Sequence, residues 1–291
     1  SGHFGLRRSL SLFYEYAGST LLNVWMTAIF GPVAKPHDWI DHASADDDAS
    51  THDVVIGESG YPEEHLVFNG ISISVVQGSG AVVGTGCVVS AAVTSLVAHV
   101  ACQYESLSGK RVLELGSGVG AIGIALSAMG AQVILTDVAQ NPRPELRPSA
   151  ETINASGLFS NLLGVLEHNI CKNAEAIATR GGSAKVQELH WGNEDHLQHV
   201  RDAAQGALFD IILACNVTYD TSAYIVLINT LKSLCECGTR IFIGNTSNLG
   251  DMPLLVTTAE ASGLRCMSNT LDGDTVILEL GLASSARGPW H

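Results

Sequence analysis

A glycine-rich turn between an apolar segment and a helix-forming segment constrains the fold of this chain more than any other sequence feature. Residues 112–123 read Val-Leu-Glu-Leu-Gly-Ser-Gly-Val-Gly-Ala-Ile-Gly. The residues before the turn are typical of a buried strand, and those after it favour a helix. Glycines at such a junction permit a sharp turn and a close approach of the backbone to a ligand, because they carry no Cβ atom. The pattern predicts a strand–turn–helix unit that binds a ligand.

Strand-like and helix-like segments alternate along most of the remaining chain. The pattern predicts strands at 111–114, 132–136, 186–189, 209–215, 239–244 and 275–280, and helices at 90–104, 121–129, 162–178, 223–235 and 253–262. Such alternation implies βαβ units and a mostly parallel sheet covered on both faces. With right-handed crossovers, the prediction is an α/β fold with a doubly wound, mostly parallel sheet. A β-hairpin that turns at Asn69-Gly70 is expected to precede it.

The composition narrows the class of protein and of partner. Hydrophobic residues make up 46% of the 291 residues and charged residues 15%, which excludes a disordered chain or a coiled coil. The formal charge of −14 disfavours nucleic acid as a ligand and favours a basic protein partner. Seven scattered cysteines are typical of reduced thiols, so the protein is expected in the cytoplasm, with the nucleus as a second location.

The chain divides into an extension, one main domain and a short tail. Residues 1–60 are predicted as an N-terminal extension whose segment 36–60 is an acidic, flexible linker. Residues 61–285 form the predicted main domain, and residues 286–291 a tail. An insertion at 139–161 contains three prolines within seven residues, which excludes a regular helix there. It is interpreted as a lid, a substrate wall or a tolerated loop.

Neither a membrane span nor a metal site is predicted. The uncharged stretch at 66–104 is long enough to span a bilayer, but glycines interrupt it and its first half alternates like a strand. It is interpreted as the hairpin followed by a core helix. Cys235-Glu-Cys237 has no second cysteine pair, and His196 and His199 are interpreted as a solvated helix face.

Two acidic residues decide which ligand the glycine turn suits. The sequence also contains the GxGxxG spacing of dinucleotide-binding proteins, at Gly118, Gly120 and Gly123. However, Glu114 ends the strand, where its carboxylate would repel a pyrophosphate and attract the amino group of S-adenosylmethionine. Asp137 ends the next strand and can accept hydrogen bonds from both ribose hydroxyls. S-adenosylmethionine is therefore the predicted cofactor. Its predicted ligands in the turn and at the strand ends are Glu114, Gly116, Ser117, Gly118, Gly120 and Asp137.

The chain resembles the class I, seven-stranded S-adenosylmethionine-dependent methyltransferases with their Rossmann-like fold. Within them it resembles the group that methylates lysine in non-histone proteins. The resemblance covers about residues 62–282, through blocks at 84–92, 113–120, 166–173, 189–192 and 209–219. All class I members share the glycine loop. Only Leu189-His-Trp-Gly192 and the block that ends at Tyr219 point to the lysine group.

The resemblance also implies further site residues. It adds Val89, Trp191 and Cys215 to the cofactor site, although Trp191 as a plain core residue stays an equal interpretation. It places Asn216 and Tyr219 at the acceptor site, where the Asn216 side-chain oxygen and the Tyr219 hydroxyl would orient the amine. The sequence departs from the group at Val89, usually Trp, at His190, usually Asp, and at Asn216, usually Asp.

The expected function is methyl transfer to a lysine side chain of a protein substrate, which is basic or lysine-bearing. A monomer is expected. Two alternatives stay open. One is a catalytically weak or inactive S-adenosylmethionine-binding module that acts in protein assembly. The other is a methyltransferase for another nitrogen nucleophile, namely glutamine, arginine, a nucleobase or a small molecule.

Overall fold

The computed structural model describes four stretches of the chain: residues 53–56, 62–77, 89–139 and 161–282. Most of the predicted extension, nearly all of the predicted insertion at 139–161 and the predicted tail at 286–291 lie outside the described residues. The lead-in block at 84–92 is described only from Val89 onward. In these four stretches, no helix combines the length and the apolar character that a membrane crossing requires.

A three-stranded antiparallel sheet precedes the main sheet in the chain. Its strands are β1 (Asp53–Ile56), β2 (Pro62–Phe68) and β3 (Ile71–Val76), in the order β1-β2-β3. β2 and β3 form the predicted hairpin, and Asn69 and Gly70 both have positive φ, as a type I′ turn requires. β1 falls within the segment that was predicted as a linker, and its Val-Val-Ile run is typical of a strand.

Seven strands form the main sheet, in the order β6-β5-β4-β7-β8-β10-β9. They are β4 (Arg111–Leu115), β5 (Gln132–Asp137), β6 (Ser183–Glu188), β7 (Ile211–Cys215), β8 (Arg240–Thr246), β9 (Leu264–Asp272) and β10 (Thr275–Leu282). The first five in this order are parallel, while β10 runs antiparallel to both β8 and β9. The predicted mostly parallel, seven-stranded α/β fold is therefore confirmed.

Helices cover both faces of this sheet. The structure has α1 (Ala91–Cys102), α2 (Ala121–Ala128), α3 (Leu162–Lys172), α4 (Ala174–Thr179), α5 (Glu194–Ala203), a short 3-10 helix (Thr221–Ala223), α6 (Tyr224–Leu234) and α7 (Met252–Ala261). Successive residues of β4 point to opposite faces: Val112 packs in one buried apolar cluster, and Leu113 packs in the other. The sheet is thus the middle layer of a doubly wound sandwich.

Besides β1 and α5, which were not among the predicted strands and helices, two further parts of the structure differ from the sequence prediction. The single helix predicted at 162–178 is two helices, α3 and α4, which meet at Asn173. The Asn173 side chain accepts a hydrogen bond from the Ser74 N–H of β3 (2.9 Å) and donates one to the Ser74 carbonyl (2.7 Å). The second difference is β9, which the residue pattern did not predict because it is a mostly exposed edge strand with few apolar residues.

Candidate cofactor and acceptor site

The glycine turn links β4 to α2 at the carboxyl edge of the sheet, as predicted. Gly116, Gly118 and Gly120 all have φ between 56° and 86°, a conformation that residues with a Cβ atom rarely adopt. A Cβ atom on Gly116 would lie 2.7 Å from Cγ1 of Val217, so the β7 end also packs closely against the turn. The turn, called the cradle below, therefore has a backbone that glycine permits and packs closely against the end of β7.

Ser117 attaches this turn to the neighbouring strand β5. Its N–H donates to the Thr136 carbonyl (2.9 Å), and its hydroxyl oxygen accepts from the Thr136 N–H (3.0 Å). The Thr136 hydroxyl in turn donates to the Glu114 carbonyl (2.7 Å). These three hydrogen bonds fix the position of the turn relative to both strands before any ligand binds.

Asp137 brings the end of β5 to the glycine turn. Its carboxylate accepts hydrogen bonds from the Gly118 N–H (2.9 Å) and from the Val138 N–H (2.8 Å). Burial raises the pKa of Asp137 above its ordinary value, while the two N–H donors oppose that rise. Each carboxylate oxygen keeps a lone pair for a ribose hydroxyl. The structure thus brings together two of the predicted cofactor residues, Gly118 and Asp137.

Glu114 is an acid almost completely withdrawn from water beneath the same turn. The residue is 2% exposed, and its Oε2 atom accepts a hydrogen bond from the Gly123 N–H (3.0 Å). A Cβ atom on Gly123 would lie 2.6 Å from this oxygen, so glycine is required there. Burial raises the pKa of Glu114 to about 8. A cationic ligand nearby would stabilise the ionised form, which suits the positively charged methyl donor.

The raised pKa of Glu114 predicts how stability varies with pH. The folded protein holds this proton up to about pH 8, whereas the unfolded chain loses it near pH 4.5. The stabilisation from this group is therefore complete below pH 4.5 and is lost as the pH rises through about 8. We expect the free energy of unfolding of the cofactor-free protein to fall by about 4 kcal/mol across this window because of Glu114.

Urea unfolding of the wild type and of Glu114→Gln, at intervals between pH 5 and pH 9, measures this contribution. The variant cannot ionise at this position, so its stability should decline less as the pH rises. Two pH profiles that run parallel would contradict a buried, proton-holding Glu114.

Cys215 lies near Glu114, while Val89 is shown only at the edge of an apolar cluster. Cys215 ends β7, and burial together with the nearby Glu114 raises the pKa of its thiol to about 12. The Ser90 side chain forms a hydrogen bond with this thiol, and Ser90 is the N-cap residue of α1. Val89 packs at the edge of the first apolar cluster. Cys215 is therefore un-ionised at neutral pH, and its contribution to a site is shape rather than nucleophilic chemistry.

Trp191 lies beside the glycine turn rather than in the middle of a core. It is partly buried and packs against the second apolar cluster. Its Cζ2 atom is 3.8 Å from the position of a Cβ atom on Gly116. The next residue, Gly192, is held by a hydrogen bond from its N–H to the Thr230 hydroxyl (2.9 Å). These contacts place the indole at the cofactor cradle, while its stacking on adenine stays a prediction.

Asn216 follows β7 in a left-handed conformation, with φ of 53°. Its side-chain oxygen accepts two hydrogen bonds from Thr246 of β8, one from the N–H (2.9 Å) and one from the hydroxyl (3.0 Å). A carbonyl oxygen has two lone pairs, so this oxygen has none left for an incoming amine. This oxygen was predicted to accept a hydrogen bond from the substrate amine, and that role is revised. The side-chain group of Asn216 that remains available is its amide nitrogen, which is a donor. Asn216 as a site residue stays a prediction.

Tyr219 stands at the surface of the turn that follows Asn216. Its side chain is 61% exposed, so it is not a core residue that merely closes the end of β7. Tyr224 supports the turn from below, since its hydroxyl donates to the Thr218 carbonyl (2.8 Å) and accepts from the Asp251 N–H (2.8 Å). The Tyr219 hydroxyl is accordingly accessible to a substrate that approaches this edge of the sheet.

Sequence reasoning missed Asn169 as a support of the site. This buried residue of α3 accepts from the Val76 N–H (2.8 Å) and donates to the Val76 carbonyl (3.0 Å). It also donates to the Val119 carbonyl in the glycine turn (2.9 Å). One amide therefore connects β3, α3 and the cofactor cradle. The available signal was an asparagine pair at i, i+4 spacing, Asn169 and Asn173, beside the apolar face of the helix.

Comparisons with known proteins also identify a methyltransferase family. The lysine methyltransferase family profile matches residues 70–154 and 158–248, more than half of the chain. EEF1A lysine methyltransferase 3 of Xenopus tropicalis is 29% identical over 183 residues, which are 63% of this chain and 67% of that protein. Calmodulin-lysine N-methyltransferase of Arabidopsis thaliana is 31% identical over 136 residues, which are 46% of this chain and 36% of that protein. The chain thus spans about two thirds or less of the length of these relatives.

A solved structure agrees at the level of the fold. A Streptococcus mutans protein described as an S-adenosylmethionine-dependent methyltransferase superposes with a TM-score of 0.50 at 14% sequence identity. The match covers 75% of this chain and 55% of that one. On the extent of the family match, the chain belongs to the lysine methyltransferase family.

Proposed function

We propose that this protein transfers a methyl group from S-adenosylmethionine to a lysine side-chain amine of a protein substrate. The observation that carries the proposal is the cradle at the carboxyl edge of the sheet. There, Glu114 lies under the turn and the Asp137 carboxylate accepts a hydrogen bond from Gly118. Membership of the lysine methyltransferase family supports the choice of nucleophile.

The residues of the chain have positioning roles in this reaction. S-adenosylmethionine, when bound, supplies a methyl carbon that is already activated for in-line displacement. Asp137 holds the ribose hydroxyls, and Glu114 stabilises the positive charge of the donor. The lysine must arrive unprotonated although its ordinary pKa is about 10.4, and removal from water lowers that value. Tyr219 is exposed at this edge of the sheet, and its hydroxyl is proposed to orient the amine.

The charge of the chain supports a basic or lysine-bearing protein as substrate. A formal charge of −14 speeds encounter with a basic partner at low ionic strength. The relatives named above act on EEF1A and calmodulin, by their names. We further propose that the protein is a monomer and that it works in the cytoplasm, with the nucleus as a second location. Six unpaired cysteines in the described part of the chain support a reducing compartment.

One observation favours a second candidate function. The Asn216 oxygen is committed to Thr246, so the lysine amine lacks an acceptor that an aspartate at this position would supply. A weakly active or inactive S-adenosylmethionine-binding module in protein assembly is compatible with this arrangement. So is transfer to another nitrogen nucleophile whose carbonyl group could accept from the Asn216 amide, as in glutamine.

Tritium-labelled methyl transfer into a cell lysate distinguishes these functions. The lysine proposal expects protease-sensitive, nuclease-resistant label that hydrolysis recovers as methyl-lysine. Label in methyl-glutamine, methyl-arginine, nucleic acid or small metabolites would favour transfer to another nitrogen nucleophile. Cofactor binding without any transfer would favour the assembly module.

Substitution of Asn216 tests the acceptor argument directly. Asn216→Asp keeps one oxygen for Thr246 and places a second oxygen where the amide nitrogen stands. We expect about a tenfold rise in kcat for the lysine substrate, the size of one hydrogen bond to a charged group, with an unchanged cofactor Kd. Tyr219→Phe should lower kcat by a similar factor if the hydroxyl orients the amine. Equal kcat values in wild type, Asn216→Asp and Tyr219→Phe would exclude both groups from the reaction.

A further inference from the structure

Three side chains of the kind that bind metal ions converge at the carboxyl end of β6. Glu188 is the last residue of that strand, His190 follows two residues later, and His196 lies in the first turn of α5. One potential ligand atom from each lies within 4.8 Å of the others. The Nε2 atom of His190 is 3.2 Å from Oε1 of Glu188, and the two imidazole rings meet edge to face with centroids 5.2 Å apart. The sequence pattern had left His196 on a solvated helix face.

Backbone hydrogen bonds position two of the three side chains, those of Glu188 and His196. Glu188 accepts from the Ala139 N–H through Oε1 (3.3 Å). The Asn193 side chain caps α5 by accepting from the His196 N–H (3.1 Å), which fixes where that residue starts its turn. His196 Nδ1 accepts from the His190 N–H (3.2 Å). The neighbouring backbone therefore holds the Glu188 and His196 side chains in place beside His190.

The donor set and its exposure select the class of ion. Two imidazoles and one carboxylate form the ligand set of a three-residue zinc site with a fourth position for water. Imidazole nitrogen favours zinc, copper or nickel over calcium and magnesium, which prefer oxygen ligands. All three residues are partly exposed, so a hydrated ion can reach them. In a tetrahedral site with bonds near 2 Å the ligand atoms stand roughly 3.4 Å apart, so separations of up to 4.8 Å must contract by about 1.4 Å at most.

Metal binding would break hydrogen bonds that the three side chains form in this structure. An ion would replace the contact between His190 Nε2 and Glu188, and it would either take the Nδ1 lone pair of His196 or require its proton to move from Nε2 to Nδ1. Both hydrogen bonds are long, at 3.2 Å, and lie at the partly exposed edge of the sheet. Breaking them therefore costs little free energy. We propose that Glu188, His190 and His196 form a binding site for a divalent transition metal ion of the zinc class.

The site borders the cofactor cradle without being part of it. Glu188 and Asp137 are directly paired residues on the neighbouring parallel strands β6 and β5. The His190 side chain is also near enough to Asp137 to influence that carboxylate electrostatically. The metal site is nevertheless tested in the absence of S-adenosylmethionine, so it stands or fails independently of the proposed methyl transfer.

The full chain, stripped of metal, should be titrated with Zn²⁺ by calorimetry and with Co²⁺ by absorption. His190→Asn, His196→Asn and Glu188→Gln should each lose one equivalent of Zn²⁺ or bind it at least tenfold more weakly than the wild type. Comparison with the wild type separates zinc binding at this site from zinc binding at the cysteines and the other histidines of the chain. The Co²⁺ spectrum lost in the variants should lack thiolate-to-metal charge transfer, because the ligands are nitrogen and oxygen.

His65→Asn is the matched control. His65 forms another strand Glu-x-His pair, with its Nε2 3.7 Å from Oε1 of Glu63, but that carboxylate is already paired with Lys172 at 3.0 Å. Its substitution should leave zinc stoichiometry unchanged. Circular dichroism shows which variants fold. If a histidine variant does not fold, Glu188→Gln is used in its place to test the site. Zinc stoichiometry and affinity equal to wild type in every folded variant of the cluster would overturn the proposal.

Discussion

Replacement of Asp137 by alanine is expected to weaken S-adenosylmethionine binding by about 100-fold or more. Under the proposed function this carboxylate accepts both ribose hydroxyls, and hydrogen bonds to a charged group contribute about 1.5–3 kcal/mol each. The substitution also removes the acceptor of the Gly118 N–H, so the glycine turn loses its attachment to the end of β5. Both effects act on cofactor affinity in the same direction.

Calorimetric titration of wild type and variant with S-adenosylmethionine measures the loss. Asp210→Ala is the matched control, because this carboxylate accepts from the Arg111 N–H (2.8 Å) at the opposite, amino end of β4. It removes a comparable backbone hydrogen bond far from the cradle, so its cofactor Kd should stay within a few-fold of the wild type. If Asp137→Ala binds the cofactor as tightly as Asp210→Ala does, Asp137 is not a cofactor ligand.

Replacement of Asn169 by leucine is expected to lower the free energy of unfolding by about 3–5 kcal/mol, because it leaves buried partners without hydrogen bonds. The Val76 N–H, the Val76 carbonyl and the Val119 carbonyl each lose their bond to this fully buried amide. Since Val119 belongs to the glycine turn, the variant should also bind S-adenosylmethionine more weakly, by about tenfold. Urea unfolding and cofactor titration give the two numbers.

Asn173→Leu distinguishes support of the turn from general stability. Asn173 makes the same pair of contacts to β3, with the N–H and carbonyl of Ser74, but its side chain forms no hydrogen bond with the glycine turn in the described part of the chain. Its loss should destabilise the protein by a similar amount and leave cofactor affinity near that of the wild type. Equal effects of the two substitutions on cofactor Kd would show that Asn169 acts only through the stability of the fold.

The layout of the sheet could be predicted because its main signals are local. Apolar segments such as the one that ends at Cys215 have strand length, and glycines mark where each strand gives way to a helix. β9 escaped prediction because an edge strand buries little and so needs few apolar residues. The break at Asn173 could not be predicted either, because its cause is a contact with Ser74, 99 positions earlier in the chain.

The residues of the site also fall into those that local sequence could predict and those that it could not. The positions of Glu114 and Asp137 could be predicted because they depend on where strands end, which the local pattern shows. The commitment of the Asn216 oxygen could not be seen, because its partner Thr246 lies 30 positions later in the chain. The grouping of His196 with Glu188 likewise depends on how α5 packs against β6. Local sequence thus indicated which residues reach the edge, and tertiary contacts decided which of their atoms stay available.

The most direct test of the central claim is a paired titration of the full chain with S-adenosylmethionine and with NAD. A cradle with Glu114 beneath it should take one equivalent of the cationic methyl donor, should lose that binding in Asp137→Ala, and should give no heat with the dinucleotide. Binding of NAD in place of S-adenosylmethionine, or of neither, would contradict the account.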